Sequence, residues 1–250
     1  MDRRVEMLMK EISAGLQNIL GDNLLGIYIH GSIAFECFNW DNSDIDFIVV
    51  TGKEPDCIRK KHIVQLLLES DKSAPPKGFE VSFVLEKDCR NFTYPTPYQL
   101  HFSNFHKEKY INDTDGHINR LQGTDKDLAA HFTVINNSGI TFYGKDKKDV
   151  FSPVPEEYYL DSIMHDIENA VDEITDSPVY LILNLCRTLA YITEGSVLSK
   201  ADGGLWGISN LPQYRTIIGK AYRQYVHNEN VNFDNNQLIE FAQYMTEKIF

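Results

Sequence analysis

An apolar run, Leu24–Ile29, leads straight into Gly31-Ser32, and about a dozen residues later Ser43-Asp44-Ile45-Asp46 opens a second apolar run over residues 47–50. Both runs have the length of buried strands, and in a strand residues two apart point the same way. Asp44 and Asp46 are therefore expected to leave one face together while Ile45 enters the other. Two carboxylates held so close raise each other's pKa unless a cation sits between them. An oxygen-only ligand set favours Mg²⁺, which completes its shell with waters and substrate phosphates. Gly31 lets the backbone approach a ligand, and Ser32 would open a short helix whose first amides suit a phosphate. Either dipeptide alone is an ordinary turn or strand entry. In this order they point to a metal–nucleotide site.

The surrounding chain reads as alternating helices and strands. Val5, Leu8, Met9, Ile12, Leu16 and Ile19 recur at helical spacing, predicting an amphipathic helix over about residues 3–20. A second helix is expected over about 55–70, then a Pro/Gly loop at 73–78. A third strand follows at 79–84, with Val81 and Phe83 on one face and Glu80 and Ser82 on the other. Coming after a helical crossover, this strand is expected beside the Asp-x-Asp strand, which makes Glu80 a third carboxylate. The aromatic stretch from Phe92 to Phe105 either packs the core or floors a substrate pocket. A helix over 125–136 and an edge strand over 140–144 follow. Phe151-Ser-Pro-Val-Pro is a stiff connection, so domains of 1–150 and 151–250 are expected.

Beyond Pro155 the pattern is helical throughout. Tyr159, Ile163, Ile167, Val171 and Ile174 suggest one helix. Others are expected from Pro178 through Tyr191, from about Gln213 and from about Asn235, as an antiparallel bundle. The fold class is thus α+β, a mixed-sheet domain followed by a helical bundle. Within the second helix, Arg187 and Asn184 are polar positions among apolar ones, and a half-buried Arg needs an acid or phosphate partner. Lys200 reads as part of a glycine-flanked loop. Together Arg187 and Lys200 could clamp a phosphate.

Bulk properties narrow the partners. With 250 residues and a net charge of −12, the chain lacks the basic footprint of a nucleic-acid binder. The acidity either suits a cationic small molecule, attracted at long range, or merely keeps the protein soluble. The four scattered cysteines, Cys37, Cys57, Cys89 and Cys186, form no metal or disulfide pattern, and no apolar stretch is long enough to span a membrane. A cytoplasmic protein without a membrane partner is expected.

The chain resembles the nucleotidyltransferase superfamily, whose signature is Gly-Ser, then Asp-x-Asp, then an acid on a later strand. More narrowly it resembles the aminoglycoside adenylyltransferases of the streptomycin/spectinomycin type. The likeness runs through Gly31-Ser32, Ser43-Asp44-Ile45-Asp46, Phe79-Glu80-Val81-Ser82, Tyr94-Pro95, Phe151-Ser-Pro-Val-Pro, Leu183-Asn-Leu-Cys-Arg187 and Gly195-Ser-Val-Leu-Ser-Lys200 to Trp206. It implies a polymerase-beta-like domain and a helical domain, with ATP and acceptor in the cleft between them. The implied reaction transfers AMP from ATP to a hydroxyl of an aminoglycoside or aminocyclitol, with release of pyrophosphate. Carried over by position, Asp44, Asp46 and Glu80 hold a pair of Mg²⁺ ions and Glu80 activates the hydroxyl. Gly31, Ser32, Arg187 and Lys200 match nucleotide-contacting positions. Tyr225 matches a further one, with Tyr222 as its rival. Phe105, Glu173 and Asp176 are expected to meet the acceptor. Streptomycin-using members carry a Trp between the Pro-Val-Pro connection and the Arg helix. The two tryptophans here, Trp40 and Trp206, lie elsewhere, which favours spectinomycin. The alternatives are the same chemistry on a metabolite or protein acceptor, or a non-catalytic nucleotide-binding module.

Overall fold

The computed structural model describes residues 1–120 and 123–250, which form two compact units, Met1–Tyr159 and Leu160–Phe250. The chain runs through α1 (Arg3–Leu20), β1 (Leu24–Ile29), α2 (Gly31–Ala34), β2 (Ile45–Thr51), α3 (Cys57–Ser70), β3 (Phe79–Leu85), α4 (Glu86–Arg90), β4 (Thr96–Tyr98) and β5 (Leu100–Phe102). It continues through α5 (Asn104–Asn112), α6 (Thr114–Arg120), β6 (Gly123–Asp125), α7 (Asp127–Ser138), β7 (Ile140–Gly144) and α8 (Lys147–Val150). Helix α9 (Glu156–His165) leads into α10 (Ala170–Glu173), α11 (Pro178–Glu194), α12 (Lys200–Asn210), α13 (Arg215–His227) and α14 (Asn235–Ile249). This is the α+β class expected. No helix among the described residues is long and apolar enough to cross a membrane.

The first unit is built on a five-stranded sheet of order β5-β3-β2-β1-β7, and β4 pairs with β6 separately. Only the β2–β3 pair of the larger sheet is parallel, joined by the α3 crossover; the others are antiparallel. Strand alternation sorts the side chains into two cores. Ile27, Ile29, Phe47, Val49, Val81 and Phe83 join Met9, Ile12 and Leu16 of α1 and Ile63 and Leu67 of α3. Tyr28, Ile48, Val50 and Val84 join Leu128, Phe132 and Ile135 of α7. By the same alternation Asp46 and Glu80 belong to the α7 face. Burying a side chain such as Phe47 or Phe132, both 0% exposed, stabilises by roughly 1.5–3 kcal/mol.

The aromatic stretch after β3 divides in its role. Phe102 is buried and stacks on Tyr110, and Phe92 packs beside Phe132, Tyr94 and Tyr158. Phe105, on α5, is 76% exposed.

Histidine adds a pH dependence to this unit. His101 lies on β5, its Nδ1 2.9 Å from Ser82 Oγ, and burial pushes its pKa down to about 4. An unfolded histidine takes up its proton near pH 6.5. Between that pH and 4 the unfolded chain binds the extra proton, so stability falls on acidification by up to about 3 kcal/mol. Urea titrations at pH 7, 5.5 and 4 are expected to show wild type losing more stability than His101→Asn. Parallel losses would contradict it.

The second unit departs from expectation in two places. The apolar face from Tyr159 to Ile174 belongs to two helices. Turns at Asp166–Asn169 interrupt it, with Ile167 N–H bonded to Met164 O and Ala170 N–H to Ile167 O. The stretch read as a loop around Lys200 is helix α12. Ser199 caps it, its Oγ accepting from Asp202 N–H at 3.0 Å and donating to Asp202 Oδ2 at 2.6 Å. This Ser-x-x-Asp capping box is a local start signal. The glycines that suggested a loop are packing positions: a Cβ on Gly203 would stand 2.7 Å from Arg187 Cβ, and one on Gly207 2.6 Å from Cys186 Sγ. Their absence lets α12 press its backbone against α11. The unit's core gathers Leu181, Leu185, Ile218, Phe241 and Met245.

Candidate active site

The parallel register of β2 and β3 sets Asp46 directly opposite Glu80. Asp44 immediately precedes β2, two residues before Asp46 and on the same side. The three carboxylates each offer an oxygen, and these oxygens lie within 4.8 Å of one another. All three side chains are half-buried. Such a set of converging acids carries a strong mutual repulsion that a divalent cation relieves. Its all-oxygen chemistry fits Mg²⁺.

Gly31 stands against this group. Its φ of +58° lies in the left-handed region, and a Cβ there would overlap Asp46 Oδ2 and come within 3.0 Å of Asp46 Cβ. The backbone is held close from the other side as well, since His30 N–H donates to Asp46 O at 3.0 Å. Gly31→Ala is therefore expected to cost about 1–2 kcal/mol of stability and to weaken divalent-cation binding by displacing Asp46. Denaturation and Mn²⁺ titration measure the two effects. Unchanged Mn²⁺ affinity would contradict this view of Gly31.

Neighbouring Ser32 has a buried Oγ without a hydrogen-bond partner among the described residues. His30 is 3% exposed, and burial, reinforced by nearby His131, holds its pKa well below the ordinary range. His30 is thus neutral. Its ring lies 4.5 Å from that of His131, tilted by 33°, and His131 Nε2 is 3.7 Å from Glu80 Oε1. Neither histidine figured in the expected site. Nothing in a lone His on an amphipathic helix marks it before the α7 face of the sheet is known.

In the second unit, Arg187 on α11 has its Nη2 3.4 Å from Asp166 Oδ2. Its Nε is buried without a hydrogen-bond partner among the described residues. Asn184, one turn earlier and 0% exposed, has neither amide atom partnered among them. Buried donors left open in this way suit an oxygen-rich ligand such as a phosphate chain. Lys200 is the first residue of α12, with Nζ 5.0 Å from the Tyr180 ring centroid. Tyr225 packs against the bundle core, and Tyr222 lies against Gly204 on α12. Glu173 and Asp176 are both exposed, at the end of α10 and the turn after it. The structure thus gathers Asp44, Asp46, Glu80, Gly31 and Ser32 in one group. Arg187 and Lys200 stand on adjacent packed helices of the other unit.

A mixed sheet with an acid triad at neighbouring strand starts is the arrangement of a nucleotidyltransferase fold. Residues 149–248 match the family described as aminoglycoside adenylyltransferase, C-terminal domain. The whole fold is similar to a crystal structure of spectinomycin adenyltransferase AAD(9) from Enterococcus faecialis with ATP and spectinomycin. The TM-score is 0.82 at 22% identity, covering 97% of this chain and 98% of that one. A sequence search of curated proteins returns no match.

Proposed function

We propose that the chain transfers AMP from ATP to a hydroxyl of an aminocyclitol or aminoglycoside, with spectinomycin favoured, releasing pyrophosphate and inactivating the drug. The observation that carries this reading is the convergence of Asp44, Asp46 and Glu80 within 4.8 Å. The family of residues 149–248 supports the substrate class. The solved relative with ATP and spectinomycin, and the lack of a tryptophan between the Pro-Val-Pro connection and Arg187, support spectinomycin. A charge of −12 attracts a cationic drug at long range. ATP as co-substrate makes the cytoplasm the site of reaction.

In this reading Asp44, Asp46 and Glu80 hold Mg²⁺, a pair of ions by family resemblance. When bound, the metal would polarise phosphate oxygens and neutralise charge on the leaving group. Glu80 accepts the proton of the attacking hydroxyl, a role that typically contributes roughly 10²–10⁴ in rate. Gly31 gives the nucleotide backbone-close access, and Ser32 hydrogen-bonds a phosphate oxygen with its buried Oγ. Arg187 and Lys200 bind the triphosphate and stabilise departing pyrophosphate. Tyr225, or Tyr222 in its place, contacts the nucleotide. Phe105, Glu173 and Asp176 are proposed for the acceptor, the ring for contact area and the acids for its amino groups.

The test is incubation with ATP, Mg²⁺ and a panel of aminoglycosides and aminocyclitols while pyrophosphate is followed. Release strongest with spectinomycin is expected. Silence across the panel from folded protein would overturn the substrate assignment and leave the same chemistry on another acceptor.

A further inference from the structure

Sheet alternation sends Glu80 to the α7 face, and α7 presents His131 there. His131 Nε2 is 3.7 Å from Glu80 Oε1, and its side chain is 20% exposed. One face of the ring lies against buried His30 at 4.5 Å, and His30 in turn holds the Asp46 carbonyl oxygen through its backbone N–H at 3.0 Å. The imidazole is therefore packed in place by the same segment that carries Gly31 and Ser32. A separation of 3.7 Å is beyond a direct hydrogen bond but within reach of a bridging water or a small turn of the carboxylate.

We propose that His131 is a positioning residue for Glu80: it engages Oε1 and leaves Oε2 aimed at the metal and the reacting hydroxyl. A glutamate side chain turns about three torsions, and a packed partner at one oxygen narrows the orientations of the other. Such partners of ligating carboxylates are typically worth about 10–100-fold in metal affinity or activity. Through His30, the partner is also coupled to the Gly31–Asp46 contact, so one packed unit sets both acids. The inference rests on the reading of Glu80 as metal ligand and base.

The test is a double-mutant cycle read by Mn²⁺ titration of the apo protein, which needs no acceptor. His131→Ala is expected to weaken Mn²⁺ binding by about tenfold in the wild-type background and to have no effect when Glu80 is already Gln. His131→Gln, whose amide nitrogen reaches the place of Nε2, is expected to restore most of the affinity. Unchanged affinity in His131→Ala, or an equal loss in both backgrounds, would overturn the inference. Failure of wild type to bind Mn²⁺ would overturn it together with the carboxylate site. A second readout is kcat with ATP and spectinomycin. It is expected to fall about 10–100-fold in His131→Ala with KM for ATP unchanged, and to recover in His131→Gln. A loss that Gln does not repair, or one confined to KM, marks a merely structural role and overturns the positioning. Wild type that binds Mn²⁺ with the expected coupling yet adenylylates no acceptor would sink the proposed function and spare this inference.

Discussion

Asp46→Asn is expected to reduce AMP transfer by on the order of 10³-fold or more, the equivalent of the several kcal/mol that a metal contributes to transition-state charge. Asparagine keeps the shape of the side chain and removes one of the three negative charges that converge within 4.8 Å. The hydrogen bond from His30 N–H to the Asp46 carbonyl is a backbone contact, and the β2–β3 register does not depend on the side chain. Circular dichroism and the unfolding midpoint are therefore expected to change little while Mn²⁺ affinity falls with turnover. Near-normal turnover in folded Asp46→Asn would mean that the triad does not hold the catalytic metal. The mechanism would then need another basis.

The second large effect is at Glu80. As the residue opposite Asp46 on β3 it is proposed both to ligate metal and to take the hydroxyl proton. Glu80→Gln removes the base and is expected to lower kcat by about 10²–10⁴-fold. KM for ATP should change much less, because the triphosphate is proposed to be carried by Arg187 and Lys200. Steady-state kinetics with ATP varied at saturating acceptor separates the two. A rise in KM at constant kcat would assign Glu80 to binding and leave the base to another group.

Much of this architecture is legible in the chain because its local signals agree. The period of Val5 to Ile19, the run Leu24–Ile29 and the alternation around Glu80 each point to one element, and burial in the sheet reinforces each. Asp44, Asp46 and Glu80 are readable as a group because strand period and a helical crossover together predict neighbouring parallel strands. Helix α12 was hidden by composition. Glycine ordinarily disfavours a helix, but Gly203 and Gly207 sit where side chains would collide with Arg187 and Cys186. The Ser199–Asp202 capping box was the better signal. The break between α9 and α10 was equally obscure, since apolar spacing alone does not report the turns that carry Asp166 to Arg187. His131 is legible only in three dimensions: its meaning comes from the strand that α7 covers.

In the proposed reaction the bond broken lies between the α- and β-phosphates. The most direct measurement is incubation with Mg²⁺, spectinomycin and ATP carrying its label on the α-phosphorus in one sample and on the γ-phosphorus in another, followed by separation of the drug. The α-label is expected on the drug and the γ-label in pyrophosphate. Label reaching the drug from the γ-phosphorus, or from neither position with folded protein, would contradict that reaction.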